Sequence, residues 1–157
     1  MAELRALCAE LGWQDVQTYI QSGNVVFSAN GKHEELEARL EEALAKHFGF
    51  TIPVMIRSAA QWSHYVAANP LPGASEAEPN RVMLSVAKEP STKEDTAALQ
   101  QRGRDGEQVA IGGGALWIYF PDGSGRSRLF DSGARRAPPA TTRNWRTVLK
   151  IQEMLSD

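Results

Sequence analysis

The residues best suited to binding chemistry lie near the end of the chain, at Thr141, Thr142, Arg143 and Asn144. We expect a helix to begin near Thr142, because apolar residues follow at helical spacing. A threonine just before a helix can cap it, and the same helix end offers free N–H groups and a positive dipole to an anion. Arg143 would add a fork of donors. The simpler interpretation is a well-capped helix with an exposed arginine.

A glycine- and serine-rich segment, GSGRSRL at 123–129, offers a second candidate anion site. Its glycines would let backbone N–H groups converge on a phosphate, and the side chains of Arg126, Ser127 and Arg128 would complete the shell. The segment is not a Walker A loop, because no Gly-Lys-Ser/Thr sequence follows. A flexible turn after a strand is an equally good interpretation.

A predicted hairpin turn provides the third candidate site, at Gln21, Ser22 and Asn24. Polar side chains at a turn can bind ligand amides or phosphates. The same residue types are ordinary turn formers, and that is the default interpretation.

Arginine is concentrated late in a chain whose formal net charge is -2. The residues concerned are Arg126, Arg128, Arg135, Arg136, Arg143 and Arg146. We hypothesise that they form one basic face that binds a phosphate-bearing small molecule, a nucleotide or a nucleic-acid end. The negative net charge disfavours a protein that coats nucleic acid over its whole surface.

Other kinds of site are not supported by the sequence. His33, His47 and His64 have no cysteine or carboxylate at metal-ligand spacing, so we expect no metal site. Cys8 lies on an apolar helical face and is expected to be a small buried hydrophobe. We therefore expect no cofactor and name no catalytic residue, and we leave open whether the protein is an enzyme.

The pattern of apolar residues and turn formers divides the chain into alternating helices and strands. Helices are expected at the start of the chain and at 34–48, 59–68 and 91–102, with a last one from Thr142; strands are expected at 16–20, 25–28, 50–57, 81–87, 109–111 and 116–120. Each half then contains helix, hairpin and helix, the middle of a β-α-β-β-α-β ferredoxin-like unit. In this pattern the first half lacks its opening strand and the second half its closing strand.

These elements predict an α+β fold with tandem ferredoxin-like halves, an antiparallel-rich sheet and helices packed on one face. We expect one domain over 1–157, with halves at 1–69 and 81–157 and a connecting loop at 70–80. One cysteine, no apolar run long enough for a bilayer and no signal peptide predict a cytoplasmic protein without a membrane partner.

Four sequence segments resemble a bacterial family of unknown function, domain of unknown function 1697. They are MAELRAL at the start, TYIQSGNVVFS at 18–28, GSGRSRL at 123–129 and ATTRNWRTVLK at 140–150. The resemblance covers essentially the whole chain. It implies a ferredoxin-like α+β arrangement in tandem, and it implies no activity, substrate or cofactor.

The chain departs from the family pattern in two places. Family members typically begin with a strand of the type ALLRGINVGG before the MAELRAL helix, and FDSGARRAPP stands where the family shows a cleaner helix. The first departure predicts a trimmed or mis-assigned start, or a gap filled by another segment or a partner chain. A sheet edge exposed in this way could support a homo-oligomer.

Three functions remain open on the sequence alone. The first is a non-catalytic phosphate- or anion-binding module that uses the C-terminal arginines. The second is an enzyme acting on a phosphorylated small molecule. The third is a protein-interaction module that recruits its partner through an exposed sheet edge.

Overall fold

The computed structural model describes residues 2–19, 23–102, 106–123 and 140–156. The chain divides into two compact units, one formed by Met1–Ser58 with Glu153–Asp157 and the other by Ala59–Gln152. Both units combine helices with antiparallel strands, so the fold is α+β, as the sequence predicts. None of the described helices is long and apolar enough to cross a membrane.

The first unit contains two helices and one β-hairpin. Its elements are α1 (Ala2–Glu10), β1 (Gln14–Tyr19), β2 (Asn24–Ser28) and α2 (His33–Phe48). The two strands pair antiparallel, with Thr18 opposite Val25. The core under them joins Cys8 and Trp13 to the leucine ridge of α2. The expected burial of Cys8 is therefore confirmed.

The end of α2 and the chain that follows depend on two specific residues. Gly49 ends the helix in the left-handed conformation, with φ 80°, and its N–H donates to the Ala45 carbonyl at 2.8 Å. The strand predicted at 50–57 is wrong, because these residues enter no β-ladder. The backbone N–H of Ile56 instead donates to the Glu37 carboxylate at 2.7 Å.

The second unit contains a four-stranded sheet and most of the helices. Its elements are α3 (Ala59–Ala67), α4 (Pro72–Ala77), β3 (Val82–Ala87), α5 (Lys93–Arg102), β4 (Gln108–Gly112), β5 (Ala115–Tyr119), β6 (Ala140–Asn144) and α6 (Trp145–Leu155). The last residues of α6, from Glu153, belong to the first unit. Residues 70–80, expected as a connecting loop, contain α4 and lie inside this unit. The division of one domain into halves at that loop stays a prediction.

The sheet has the strand order β4-β5-β3-β6, and every neighbouring pair is antiparallel. The first strand, β3, is central, as in a ferredoxin-like unit. Its residue Leu84 lies opposite Trp117 on one side and Arg143 on the other. The last strand, β6, is the closing strand that the sequence pattern lacked.

Helices contact both faces of this sheet. Ile118 packs in a buried cluster with Leu99 of α5. Its neighbour Trp117 points to the opposite face, because successive side chains alternate along a strand, and its ring centroid lies 5.7 Å from that of Trp145 in α6. The prediction that helices pack on one face of the sheet is confirmed for α5. Helix α6 contacts the other face.

Glycine is required where the turn between β4 and β5 approaches α3. A Cβ atom on Gly112 would lie 2.3 Å from the carbonyl oxygen of Ala68, which directly follows α3. Real Cβ atoms do not approach backbone this closely, so no other residue fits here. The same Gly112 carbonyl accepts a hydrogen bond from Trp117 Nε1 at 3.1 Å.

Candidate functional site

The four residues predicted to form an anion site at a helix start all lie on strand β6. Thr141, Thr142 and Arg143 pair with β3, and α6 begins only at Trp145. The helix start predicted near Thr142 is therefore wrong. Two adjacent β-branched threonines favour a strand, and the backbone hydrogen bonds with β3 hold them in one.

The cap of α6 is Asn144, not a threonine. Its Oδ1 accepts a hydrogen bond from the backbone N–H of Thr147 at 3.0 Å, which is the usual geometry of an N-cap residue. Asn144 was a predicted site residue, and the structure gives it this structural role.

Arg143 folds back onto its own strand. Its Nη1 donates to the Thr141 hydroxyl and to the Thr142 carbonyl, the latter at 2.8 Å. Burial lowers the pKa of Arg143. These local bonds fix the direction of the guanidinium beside the buried strand β3.

The hairpin candidate is described only in part. Asn24 is buried, and its Nδ2 donates to the Tyr19 carbonyl at 3.2 Å, which ties the two strands together. The remaining predicted site residues lie outside the described residues. They are Gln21, Ser22, Arg126, Ser127 and Arg128.

A groove of about 540 Å³ lies between three helices of the second unit, and we call it the α3–α4–α6 groove. It is lined by Val66, Ala67, Asn69, Pro72, Ser75, Glu76, Pro79, Trp145, Arg146 and Leu149. Its size is typical of binding sites, and most of its lining residues are apolar. Of the two described members of the predicted basic face, Arg143 and Arg146, only Arg146 is among them.

Hydrogen bonds that span long stretches of sequence hold the walls of the groove. Trp62 Nε1 donates to the carbonyl oxygen of Val148 at 3.1 Å, which joins α3 to α6. The backbone N–H of Trp145 donates to the Pro79 carbonyl at 3.1 Å. Because these bonds form within the protein, the shape of the groove does not depend on a bound partner.

The uncharged polar side chains that line the groove already bond to one another. Asn69 Nδ2 donates to Ser75 Oγ at 2.8 Å, and Asn69 Oδ1 accepts from the Leu71 N–H at 2.8 Å. Ser75 Oγ in turn donates to the Leu71 carbonyl at 2.7 Å. These groups stabilise the loop before α4 and leave few donors or acceptors for a polar ligand.

Leu149 lines the groove and is 43% exposed. The preceding residue, Val148, is fully buried. Helical spacing places both residues on the apolar side of α6. Helical spacing carries no information about where the neighbouring helices end, so it could not predict the groove.

Two opposite charges stand at the rim of the groove, on Glu76 of α4 and Arg146 of α6. Both residues are exposed. Neither has a hydrogen-bond or ion-pair partner in the part of the chain that the structure describes. The rim thus offers one negative and one positive group to a binding partner.

A second cavity, of about 440 Å³, lies between α1 and α2 in the first unit. Its cations are already engaged: Arg39 Nη2 donates to the Leu11 carbonyl at 2.8 Å, and Lys46 pairs with Glu42 at 3.0 Å. Among the described residues, no three histidine, cysteine or acidic side chains form a group that could hold a metal ion. The α3–α4–α6 groove is therefore the better candidate site.

Comparison with known proteins places the chain in a family. A family model described as "Protein of unknown function (DUF1697)" matches residues 1–117, most of the chain. The chain belongs to the DUF1697 family. The resemblance that the sequence suggested is confirmed over this range, and the segments GSGRSRL and ATTRNWRTVLK lie beyond it. In the groove, α3 and α4 fall within the part matched to DUF1697, and α6 falls outside it.

A solved structure supports the fold of this DUF1697 protein. The conserved bacterial protein SP0830 from Streptococcus pneumoniae has a TM-score of 0.77 to this chain and is 22% identical to it. The similarity covers 100% of this chain and 89% of the other. At this identity the likeness shows the fold alone. No curated protein matches the sequence.

Proposed function

We propose that this DUF1697 protein is a non-catalytic protein-interaction module, and that the α3–α4–α6 groove is its binding surface. The observation that carries the proposal is the 43% exposure of Leu149 inside a groove with an apolar lining. Large apolar side chains grouped in a surface depression and surrounded by charged groups are typical of protein-binding sites.

The hydrogen bonding of the groove supports a protein partner over a small polar substrate. Asn69 and Ser75, its two uncharged polar residues, bond to each other and to Leu71. A substrate would need unused donors and acceptors to orient it. A protein partner needs mainly an apolar centre and a charged rim, which Leu149, Glu76 and Arg146 provide.

Site-specific photo-crosslinking in the native host tests this proposal. Leu149 is replaced by the photoreactive residue p-benzoylphenylalanine, and crosslinked products are identified by mass spectrometry. We expect a discrete adduct with an identified protein chain. Leu149 is already exposed, so the substitution is compatible with folding.

Gln101 provides the matched control, because it is an exposed residue on α5, away from the groove lining. The same photoreactive residue at position 101 should give no discrete adduct. If position 149 crosslinks no better than position 101, the groove is not a protein-binding surface.

A second candidate function is anion binding by the C-terminal arginines. It is supported by Arg146, whose guanidinium has no partner among the described residues, and by the fixed direction of Arg143. A thermal-shift screen of nucleotides, sugar phosphates and oligonucleotides tests it, because a ligand that binds only the folded state raises Tm. A Tm increase lost in the Arg146→Ala variant supports this candidate, and no increase with any anion contradicts it.

The same screen tests the alternative of an enzyme that acts on a phosphorylated small molecule. A Tm increase with one small molecule, and none with polyanions, would favour an enzyme. An increase with every polyanion that disappears at moderate salt would instead indicate a general basic face.

A further inference from the structure

We infer that the chain bound in the α3–α4–α6 groove is a second copy of this protein, paired by two-fold symmetry. In this pairing Arg146 of each copy lies against the partner's Glu76. The inference rests on the proposed function, since it names the partner of the same groove.

The charges on the rim carry this inference. Among the described residues that line the groove, Glu76 and Arg146 are the only two with a formal charge, and their signs are opposite. A two-fold interface is self-complementary: if residue i contacts the partner's residue j, then j contacts the partner's i. One acid and one base on the same rim therefore give two ion pairs in a dimer.

The same charges argue against repulsion between copies. A groove whose rim carried charges of one sign would repel an identical groove. The charges of Glu76 and Arg146 cancel within the described lining, so an identical surface can approach this part of the groove without facing net like charge. Both groups are exposed and lack partners within the described residues, so neither must break an internal ion pair on binding.

The apolar centre of the groove supplies the other half of the interface. Leu149 and Trp145 are one helical turn apart on α6, and both line the groove. A two-fold axis through the groove would set Leu149 beside the partner's Leu149. This arrangement covers Leu149, an exposed large aliphatic side chain, with an equally apolar surface.

Charge reversal tests the inference with purified full-length protein in sedimentation equilibrium. The wild type should show a monomer–dimer equilibrium over about a hundredfold range of concentration. Arg146→Glu and Glu76→Arg should each raise the dimer Kd by about tenfold or more, because each places like charges together. The double variant should return the Kd to near the wild-type value, because the pair is restored with its signs exchanged.

Two further variants distinguish a specific loss of the dimer from unfolding and from a general effect of added charge. Leu149→Asp should abolish the dimer, and it changes an exposed residue, so its thermal unfolding should remain cooperative. Gln101→Glu adds a charge on α5, outside the groove, and should leave the dimer Kd unchanged.

Three outcomes would overturn the inference. Single charge reversals that leave the Kd unchanged would exclude the Arg146–Glu76 pairs. A monomeric wild type together with a crosslink from position 149 to a different protein would refute the dimer and leave the proposed function intact. A monomeric wild type with no crosslink from position 149 would refute both.

Discussion

Trp62 Nε1 donates a hydrogen bond to the carbonyl oxygen of Val148 at 3.1 Å, although the two residues are 86 positions apart in the chain. The bond joins α3 to α6, two of the three helices that form the groove. Val148 is fully buried, and the next residue, Leu149, stands exposed in the groove. The position of Leu149 therefore depends on a contact that neither helix could make alone.

Replacing Trp62 by phenylalanine should lower the free energy of unfolding by about 1 kcal/mol, because the variant keeps a ring and loses one hydrogen bond. Urea denaturation measures the change. Trp62→Ala should cost more, because it also removes the ring that packs against Tyr65 with centroids 5.9 Å apart. A Trp62→Phe protein as stable as the wild type would mean that the bond does not hold the helices together.

Replacing Asn144 by alanine should also cost about 1 kcal/mol, because α6 loses the side chain that accepts the Thr147 N–H. Asn144→Asp should restore most of the loss, since aspartate is a comparable cap. Thr142→Ala is the matched control: Thr142 is exposed on β6, and its change should stay within about 0.5 kcal/mol. Equal losses for Thr142→Ala and Asn144→Ala would contradict the assignment of the cap.

Glu37 should be the most important acidic residue of α2 for stability. Its carboxylate accepts the Ile56 N–H at 2.7 Å and lies 3.7 Å from Arg57, and the residue is only 8% exposed. Hydrogen bonds to charged groups contribute about 1.5–3 kcal/mol, so Glu37→Ala should cost about that much in chemical denaturation. Glu37→Gln should cost less, because its amide oxygen can still accept the Ile56 N–H.

An exposed glutamate on the same helix provides the control for Glu37. Glu42 forms an exposed ion pair with Lys46, and such surface pairs contribute little. Glu42→Gln should therefore change the free energy of unfolding by less than about 1 kcal/mol. The interpretation of Glu37 is wrong if both glutamine variants and Glu37→Ala behave alike.

The buried thiol of Cys8 should make stability depend on pH in the alkaline range. Burial raises the pKa of Cys8 from its ordinary value of 9.0 to about 11. Between these values the folded state binds more protons than the unfolded state, so stability is complete below about pH 9 and falls as pH rises through about 11. Unfolding curves at increasing pH should show this fall.

Cys8→Ala should remove the Cys8 part of the alkaline loss while other groups continue to titrate. At pH 8 the native thiol should react with Ellman's reagent only after denaturant is added, because the thiolate is the reactive form and Cys8 has no exposed surface. Rapid reaction of the native protein would show that Cys8 is accessible and that burial does not control its pKa.

Local patterns in the sequence predicted those elements that depend on local interactions. Residue spacing predicts α2 from its leucine ridge and terminal charges, and Gly49 predicts where the helix ends. Turn residues predict both hairpins. The α+β class with ferredoxin-like halves followed from the order of these elements. Each of these signals lies within a short stretch of chain.

The predictions were wrong where contacts between residues far apart in the sequence determine the structure. β6 is a strand because β3 pairs with it, and the sequence around Thr142 carried only the signal of a nearby helix start. Residues 50–57 satisfy the Ile56 N–H with a side chain of α2 in place of a neighbouring strand. The groove escaped prediction because α4 lies in a segment rich in proline and glycine, which is typical of a loop.

Hydrogen–deuterium exchange of the purified full-length protein, at low and high concentration, tests most directly whether the α3–α4–α6 groove is covered by a second copy. As concentration rises, peptides covering 72–77 and 145–149 should become more protected, while α5 at 93–102 should exchange at a constant rate. Unchanged exchange in 72–77 and 145–149 at every concentration would contradict the account.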